Sequence, residues 1–319
     1  MGKKIHIFDT SIATKNIGDL IIMDSINSSL CDLFPEGRFF NSPTHDVIGK
    51  TSYALNRACD FSFVGGTNLL SSNMNSYNQW NVNFYDAIFL KDIILFGVGW
   101  WQYQKSVNTY TKLLYKTLLN SKFQHSVRDS YTKQKLAEAG IRNCINTGCP
   151  TTWILTQQHC EAVPINKGDC VIFTLTDYKK DHVADSKLIL SLAAEYDKVY
   201  FWPQGSNDLD YLQSLPCDVD DIEILAPSLK AFDSILKETN SIDYVGTRLH
   251  AGIRALQYKR RSIIIGVDNR APEMAKDISL PMLMRDEIDG LGMMIKGEWA
   301  TVLSIDFDAI ESWRLQFIQ

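Results

Sequence analysis

The chain of 319 residues carries 32 Lys and Arg against 37 Asp and Glu, a net charge of −5, and is 45% hydrophobic. That length suits two domains at about 100–200 residues each, and the apolar content excludes a disordered or collagen-like chain. The acidic balance offers no general attraction to nucleic acid, whose phosphates need clustered Lys and Arg, so an anionic ligand has to be caught locally.

The opening MGKKIHIFDTSIATKNIGDL has a basic pair, but its apolar run is broken by His6 and Asp9, unlike a signal peptide. Position 6 is His rather than Ser or Thr, so Gly2 does not fit a myristoylation pattern. No stretch reaches the roughly 18 apolar residues of a membrane span, and the expected address is the cytoplasm. The cysteines at 31, 59, 144, 149, 160, 170 and 217 are seven, with no CxxC pair. They read as small buried hydrophobes rather than a disulfide or zinc framework, and no metal is expected.

Short apolar runs alternate with amphipathic helix-length segments, the pattern of βα units. In the first half, strands are predicted at Lys4 to Phe8, Phe61 to Val64, Ile93 to Gly97 and His125 to Arg128. Helices are predicted at Leu20 to Phe34, where Leu20, Met23, Ile26, Leu30 and Leu33 form a stripe, and at Tyr131 to Ala139 before Gly140. Polar Gln157 to Asp169, with Pro164 and Gly168, breaks the pattern and reads as the linker between domains 1–160 and 161–319. The second half gives strands at 170–175, 198–203, 222–225, 242–246 and 261–266. Its helices are predicted near Lys187 to Tyr196, Asp208, Ser228 to Lys237 and Thr247 to Tyr258. A last helix, Ile305 to Phe317, carries Ile305, Phe307, Ile310, Trp313 and Phe317 and is expected to pack back on the first domain. The expected fold is α/β: two Rossmann-like, doubly wound domains facing a cleft.

Ligands of such sheets sit beyond the carboxyl ends of the strands, and several loops there carry usable chemistry. Asn16-Ile17-Gly18-Asp19 opens a helix, where free N–H groups suit an anion or a sugar oxygen; helix capping is its structural alternative. Gly65, Gly66 and Asn68 follow one strand, and Gly97 and Gly99, then Trp100 and Trp101, follow another. The glycines allow close backbone approach, Asn68 suits hydroxyls, and the tryptophans suit either sugar stacking or core packing. No GxGxxG fingerprint is present. Arg128 stands where a strand gives way to a helix capped by Asp129 or Ser130, with a salt bridge to Asp129 as its structural role. In GTRLHAGIRAL, Thr247 reads as the N-cap, which puts Arg248, Leu249 and His250 in the first turn. Leu249, Ile253 and Leu256 form the buried stripe, while Arg248 and His250 point away from it.

Together NIGD, VGGTNLL, FGVGWW, SVRDSYTKQKLAEAGI, NTGCPT, GTRLHAGIRAL and GVDNR resemble the polysaccharide pyruvyl transferase family, in the family's order over most of the chain. Two positions depart from its pattern: Cys149 replaces an acid, and Arg270 stands where Lys is common. The resemblance implies a GT-B-like fold. It also implies transfer of the enolpyruvyl carbon of phosphoenolpyruvate to a sugar of a cell-surface or capsular polysaccharide precursor, giving a pyruvate ketal and phosphate.

On this reading the donor belongs to the second domain and Arg128, and the acceptor to the first-domain glycine loops. Arg128 and Arg248 would bind phosphoenolpyruvate, since guanidinium forks match its carboxylate and phosphate. His250 would be the general acid, histidine being the side chain that titrates nearest neutrality. Leu249 would line the donor, and Asn16, Gly18, Asp19, Gly65, Gly66, Asn68, Gly97 and Gly99 would line the acceptor. No cofactor is expected. A lipid-linked acceptor would bring the protein to the inner face of the membrane, near which the basic cluster Tyr258-Lys259-Arg260-Arg261 would sit. The alternatives are a nucleotide-sugar-dependent GT-B glycosyltransferase, with Arg248 on a diphosphate and His250 as base, and a non-catalytic sugar- or anion-binding protein.

Overall fold

The structure, a computed structural model, describes residues 2–77 and 79–318. Its contacts divide the chain into two compact units, Met1–Thr14 with Ile22–Trp153 and Ile305–Gln319, and Lys15–Ile21 with Ile154–Ser304. The polar stretch read as a linker holds a short helix, Gln157–Glu161, capped by the Thr156 hydroxyl. The division falls just before it, and the chain returns to the first unit at Ile305.

The first unit has strands β1 (Lys4–Asp9), β2 (Arg38–Pro43), β3 (Phe61–Gly65), β4 (Ile93–Phe96), β5 (His125–Val127) and β6 (Cys144–Asn146). Four of them form a parallel sheet in the order β2-β1-β3-β4. The parallel pair β5-β6 continues it through the Val98–Val127 bridge and the Gly97 N–H, which donates to Ser126 O at 3.1 Å. The winding reverses between β1 and β3, which makes that gap the topological switch point. The strands β1, β3, β4 and β5 are buried on both faces, as parallel strands covered by helices must be, while the edge strand β2 is largely exposed. One face packs Ile5, Ile7 and Phe63 against Met23, Ile26 and Leu30 of the helix Gly18–Leu33. Leu20, placed in that stripe by spacing, is instead exposed.

The closing helix, Phe307–Leu315, packs on this same face. Fully buried Trp313 lies 4.5 Å from the Phe96 ring and donates its indole N–H to Gln124 O at 2.9 Å. Phe317 meets the rings of Phe61, Phe63 and Phe123. Phe307, expected in the buried stripe, is exposed.

The second unit is a six-stranded parallel sheet of β7 (Cys170–Thr174), β8 (Lys198–Phe201), β9 (Ile222–Ile224), β10 (Ile242–Gly246), β11 (Ser262–Gly266) and β12 (Met282–Met284). Its order, β12-β11-β10-β7-β8-β9, is the Rossmann order 3-2-1-4-5-6, with the switch point between β7 and β10. Buried Arg261, at the start of β11, donates to the carbonyls of Met294, Ile295 and Gly297 and stacks on Trp299. It thereby closes the C-terminal end of the helix Leu291–Lys296. All seven cysteines are free thiols; Cys144, Cys149 and Cys160 are buried as expected, whereas Cys31 is exposed.

Candidate functional site

In the second unit the switch point brings together the loops after β7 and β10, and Arg248 stands between them. Arg248 is the N-cap residue of the helix Leu249–Gln257, in extended conformation and with no side-chain capping bond. Thr247, expected to cap it, instead bonds through its hydroxyl to that of Thr176 at 2.8 Å. Arg248 is 4% exposed rather than outward-facing. Its Nε donates to Leu175 O at 2.9 Å and to Asp208 Oδ2 at 3.1 Å, and its Nη2 donates to Asp177 Oδ1 at 3.0 Å and to Asp208 Oδ1. The guanidinium lies over the Tyr178 ring, 5.2 Å from its centroid. Of the five N–H groups of a guanidinium, the two on Nη1 have no partner among the described residues. His250 and Leu249, in the helix's first turn, are each only 4% exposed.

Asp208 is fully buried. Besides Arg248, it accepts the backbone N–H groups of Gln204, Gly205 and Asp177 at 3.2, 2.7 and 3.2 Å. Burial pushes its carboxyl up against the pull of Arg248 and of these N–H groups. Gly205 has no side chain because a Cβ there would run into the Arg248 guanidinium.

Behind this loop lies the NIGD segment, expected to meet sugar hydroxyls, whose side chains and backbone are engaged with the loop at Gln204. The Asn16 side-chain oxygen accepts the Gly18 N–H at 3.1 Å and Gln204 Nε2 at 2.7 Å. Backbone bonds from Ile17 N to Gln204 O (3.0 Å) and from Ser206 N to Lys15 O (3.2 Å) complete the strap. A Cβ on Gly18 would sit 2.7 Å from Gln204 Nε2, so a side chain there would push that amide aside, and the buried Asp19 donates its N–H to Asn16 O at 3.0 Å. The strap fixes Gln204 and Gly205, these orient Asp208, and Asp208 holds Arg248.

In the first unit the carboxyl edge carries buried polar atoms without hydrogen-bond partners: Thr10 Oγ1, Thr44 Oγ1, Asn68 Oδ1 and Arg128 Nη1. They follow β1, β2, β3 and β5 in turn. Each such atom costs about 1–3 kcal/mol when left unpaired. Arg128, 2% exposed, donates from Nε to Asp129 Oδ2 at 3.0 Å. Asp129, not Ser130, caps the helix Ser130–Glu138 by accepting the Thr132 N–H, which fixes its carboxylate. Arg128 thus makes the salt bridge to Asp129, with Nη2 3.0 Å from Oδ2, and still holds Nη1 without a partner.

The glycine loops shape this edge by packing rather than by offering N–H groups. The Gly66, Gly97 and Gly99 N–H groups are spent on Phe96, Ser126 and Thr67 carbonyls. A Cβ on Gly99 would collide with the Arg128 guanidinium, and one on Gly97 with Pro150. Gly66 and Gly97 also adopt positive φ (61° and 65°). A Cβ on Gly65 would lie 2.9 Å from Ile26. Trp100 is core, donating to Gln104 at 2.9 Å, and Trp101 stacks on Tyr77 at 4.9 Å. Cys149 does not replace its missing acid: burial pushes the thiol up, and the Thr151 hydroxyl donates to its sulfur at 3.0 Å.

Asp177, Tyr178, Gln204, Asp208, Thr10 and Thr44 were not singled out from sequence. The site rule could have found most of them, because they follow the carboxyl ends of strands; Asp208 even opens the helix Asp208–Gln213, but none sits in a glycine-rich motif. Arg270, which stands where Lys is common in the family, pairs with Asp268 at 2.6 Å. Among the described residues no cluster of three His, Cys, Asp or Glu could hold a metal ion.

A family model described as polysaccharide pyruvyl transferase matches residues 16–269. Among solved structures, the chain is similar to a UDP co-structure of MnaA from S. aureus, at 12% identity over 98% of this chain and 94% of that one, with a TM-score of 0.58. It is also similar to UDP-GlcNAc 2-epimerase from Neisseria meningitidis bound to UDP-GlcNAc, at 10% identity over 99% and 94% of the two chains, with a TM-score of 0.46. No curated protein matches it. At such identities the likeness is one of fold, and the fold is GT-B-like.

Proposed function

Because the chain belongs to the polysaccharide pyruvyl transferase family, we propose that it transfers pyruvate from phosphoenolpyruvate to two hydroxyls of a sugar in a polysaccharide precursor, releasing phosphate. The observation that carries the donor assignment is Arg128, a buried cation whose Nη1 has no acceptor. Unpaired buried donors of this kind call for an anion. Arg248 adds the two N–H groups of Nη1, while Asp208 and Asp177 hold the rest of its guanidinium in place. The donor's carboxylate and phosphate each suit one such fork.

The chemistry proceeds by protonation of the donor's methylene carbon, which makes the adjacent carbon electrophilic. A sugar hydroxyl adds to that carbon and loses its proton. The bond to the phosphate oxygen breaks, phosphate leaves, and a second hydroxyl adds and loses its proton to close the ketal. Two carbon–oxygen bonds form and one breaks. His250 is the general acid for the first step, and Leu249 beside it lines the donor. Asn68 faces the acceptor across an edge shaped by Gly65, Gly66, Gly97 and Gly99, whereas Asn16, Gly18 and Asp19 act as the strap behind Gln204. No helix among the described residues is long and apolar enough to cross a membrane; action at the inner membrane face on a lipid-linked acceptor belongs to this proposal.

The test is release of phosphate from phosphoenolpyruvate in the presence of acceptor. His250→Ala should abolish it while leaving the melting temperature near that of the wild type; full turnover by the variant would sink the assignment. Thermal stabilisation by phosphoenolpyruvate and not by UDP or GDP is expected, and the reverse would favour the nucleotide-sugar reading.

A further inference from the structure

We infer that Tyr178, itself held by Arg270 and Asp268, is a positioning residue that fixes the Arg248 guanidinium for an anionic donor. The donor's identity rests on the pyruvyl-transfer reading; the hold on Arg248 rests on geometry of its own.

Three neighbouring strands supply the parts, since β11, β10 and β7 lie side by side in the second unit's sheet. Tyr178 follows β7, Arg248 follows β10, and Asp268 and Arg270 follow β11. Tyr178 sits in the single turn Asp177–Lys179, whose flanks are pinned. The Asp177 N–H donates to Asp208 Oδ1 at 3.2 Å, and Lys179 O accepts from Arg285 Nη1. The Tyr178 residue is nevertheless 52% exposed, while Arg248, whose guanidinium lies over its ring, is 4% exposed. A ring so exposed gains little from its own burial; what it does is cover a cation. The Arg270 guanidinium lies 5.9 Å from the same ring centroid, so the phenol stands between two cations that its face attracts.

The carboxylates and the ring restrain different motions. Asp208 and Asp177 grip Nε and Nη2 along the edge of the Arg248 guanidinium, which leaves tilt about that edge open. An aromatic face against the group opposes that tilt and keeps water from one side of it, where a lower dielectric strengthens its attraction for an anion.

The hydroxyl accounts for Arg270, which stands where Lys is common in the family. Arg270 Nε donates to both Asp268 oxygens at 3.0 Å, and Nη2 donates to Asp268 Oδ2 at 2.6 Å and to the Tyr178 hydroxyl. A guanidinium fork serves a carboxylate and a hydroxyl at once, whereas a lysine ammonium is a point charge on a flexible stem.

Two measurements on the full chain test this. Without any donor, the Nε–H of Arg248 is followed by nitrogen-15 NMR, its signal identified by its loss in Arg248→Lys. Its exchange with water should be about fivefold faster in Tyr178→Leu, the loss expected for one cation–π contact. With phosphoenolpyruvate and acceptor, Tyr178→Leu should raise KM for phosphoenolpyruvate about fivefold and leave kcat unchanged, as loss of uniform binding does. Tyr178→Phe, which keeps the ring and loses its anchor, should raise KM only about two- to threefold. Arg270→Lys should match it, and the double variant should be no worse than either. Unchanged exchange in Tyr178→Leu, or an unchanged KM where the wild type turns over, overturns the inference. If the wild type releases no phosphate but Tyr178→Leu speeds exchange, the donor reading fails and the hold on Arg248 stands. If the wild type turns over and Tyr178→Leu alters neither quantity, the positioning role fails and the reaction stands.

Discussion

Asp208→Asn isolates what holds Arg248. The native carboxylate, fully buried, accepts Arg248 Nε at 3.1 Å and Nη2, together with three backbone N–H groups, and Arg248 itself is 4% exposed. Removing one partner of a buried ion pair leaves an uncompensated charge and costs about 3–5 kcal/mol. Asp177, still 3.0 Å from Nη2, keeps part of the compensation, so the lower end, about 3 kcal/mol, is expected. At roughly 2–4 °C per kcal/mol, the melting temperature should fall by about 6–12 °C. The double variant Asp208→Leu/Arg248→Met removes both charges and should recover much of that loss, giving a coupling energy of at least about 2 kcal/mol. Urea unfolding of the wild type, Asp208→Leu, Arg248→Met and the double variant completes the cycle. Strictly additive effects, or an Asp208→Asn variant within about 0.5 kcal/mol of the wild type, would refute the claim that Asp208 positions Arg248.

Two further outcomes follow from the packing and the titratable groups. Gly99→Ala puts a methyl group into the Arg128 guanidinium; it should cost about 1–3 kcal/mol in thermal unfolding and weaken stabilisation by phosphoenolpyruvate, and a variant with both properties intact would contradict the placement of Arg128. His6 and His125 are buried and held neutral, with burial lowering each from 6.5 to about 4. The unfolded chain therefore binds protons that the folded chain does not. Stability should be complete above pH 6.5 and fall as pH drops towards 4, by up to about 3 kcal/mol per histidine. Denaturant melts across that window in which His6→Gln/His125→Gln loses as much stability as the wild type would show the cause to lie elsewhere.

The strands of both sheets' centres were legible because parallel strands, buried on both faces, read as apolar runs such as IHIF and SIIIG. The edge strand β2, with its largely exposed RFFNSP, and the three-residue strands β6 and β12 carry too little apolar signal to be seen. The helix Thr109–Leu118 was missed although it has an Asn108 cap and a buried face of Leu114, Tyr115 and Leu118. At the site, Arg128, Arg248 and His250 stood out by their motifs and by following strands. What sequence could not say was that Arg248 is clasped by two carboxylates, because Asp177 and Asp208 lie 71 and 40 residues away along the chain. Nor could it say that NIGD meets Gln204, 188 residues from Asn16. Both are consequences of tertiary pairing that no local pattern encodes. The glycine loops do follow β3 and β4 as the sequence indicates, and the side chains that crowd each glycine appear only in three dimensions.

The central claim is tested most directly by mass spectrometry of cell-surface oligosaccharides incubated with the protein and phosphoenolpyruvate, with phosphate measured alongside. The account predicts a mass gain equal to one pyruvate ketal on the oligosaccharide, matched one to one by released phosphate. Phosphate release with no gain in acceptor mass, or transfer of a hexose from a nucleotide sugar in its place, would contradict it.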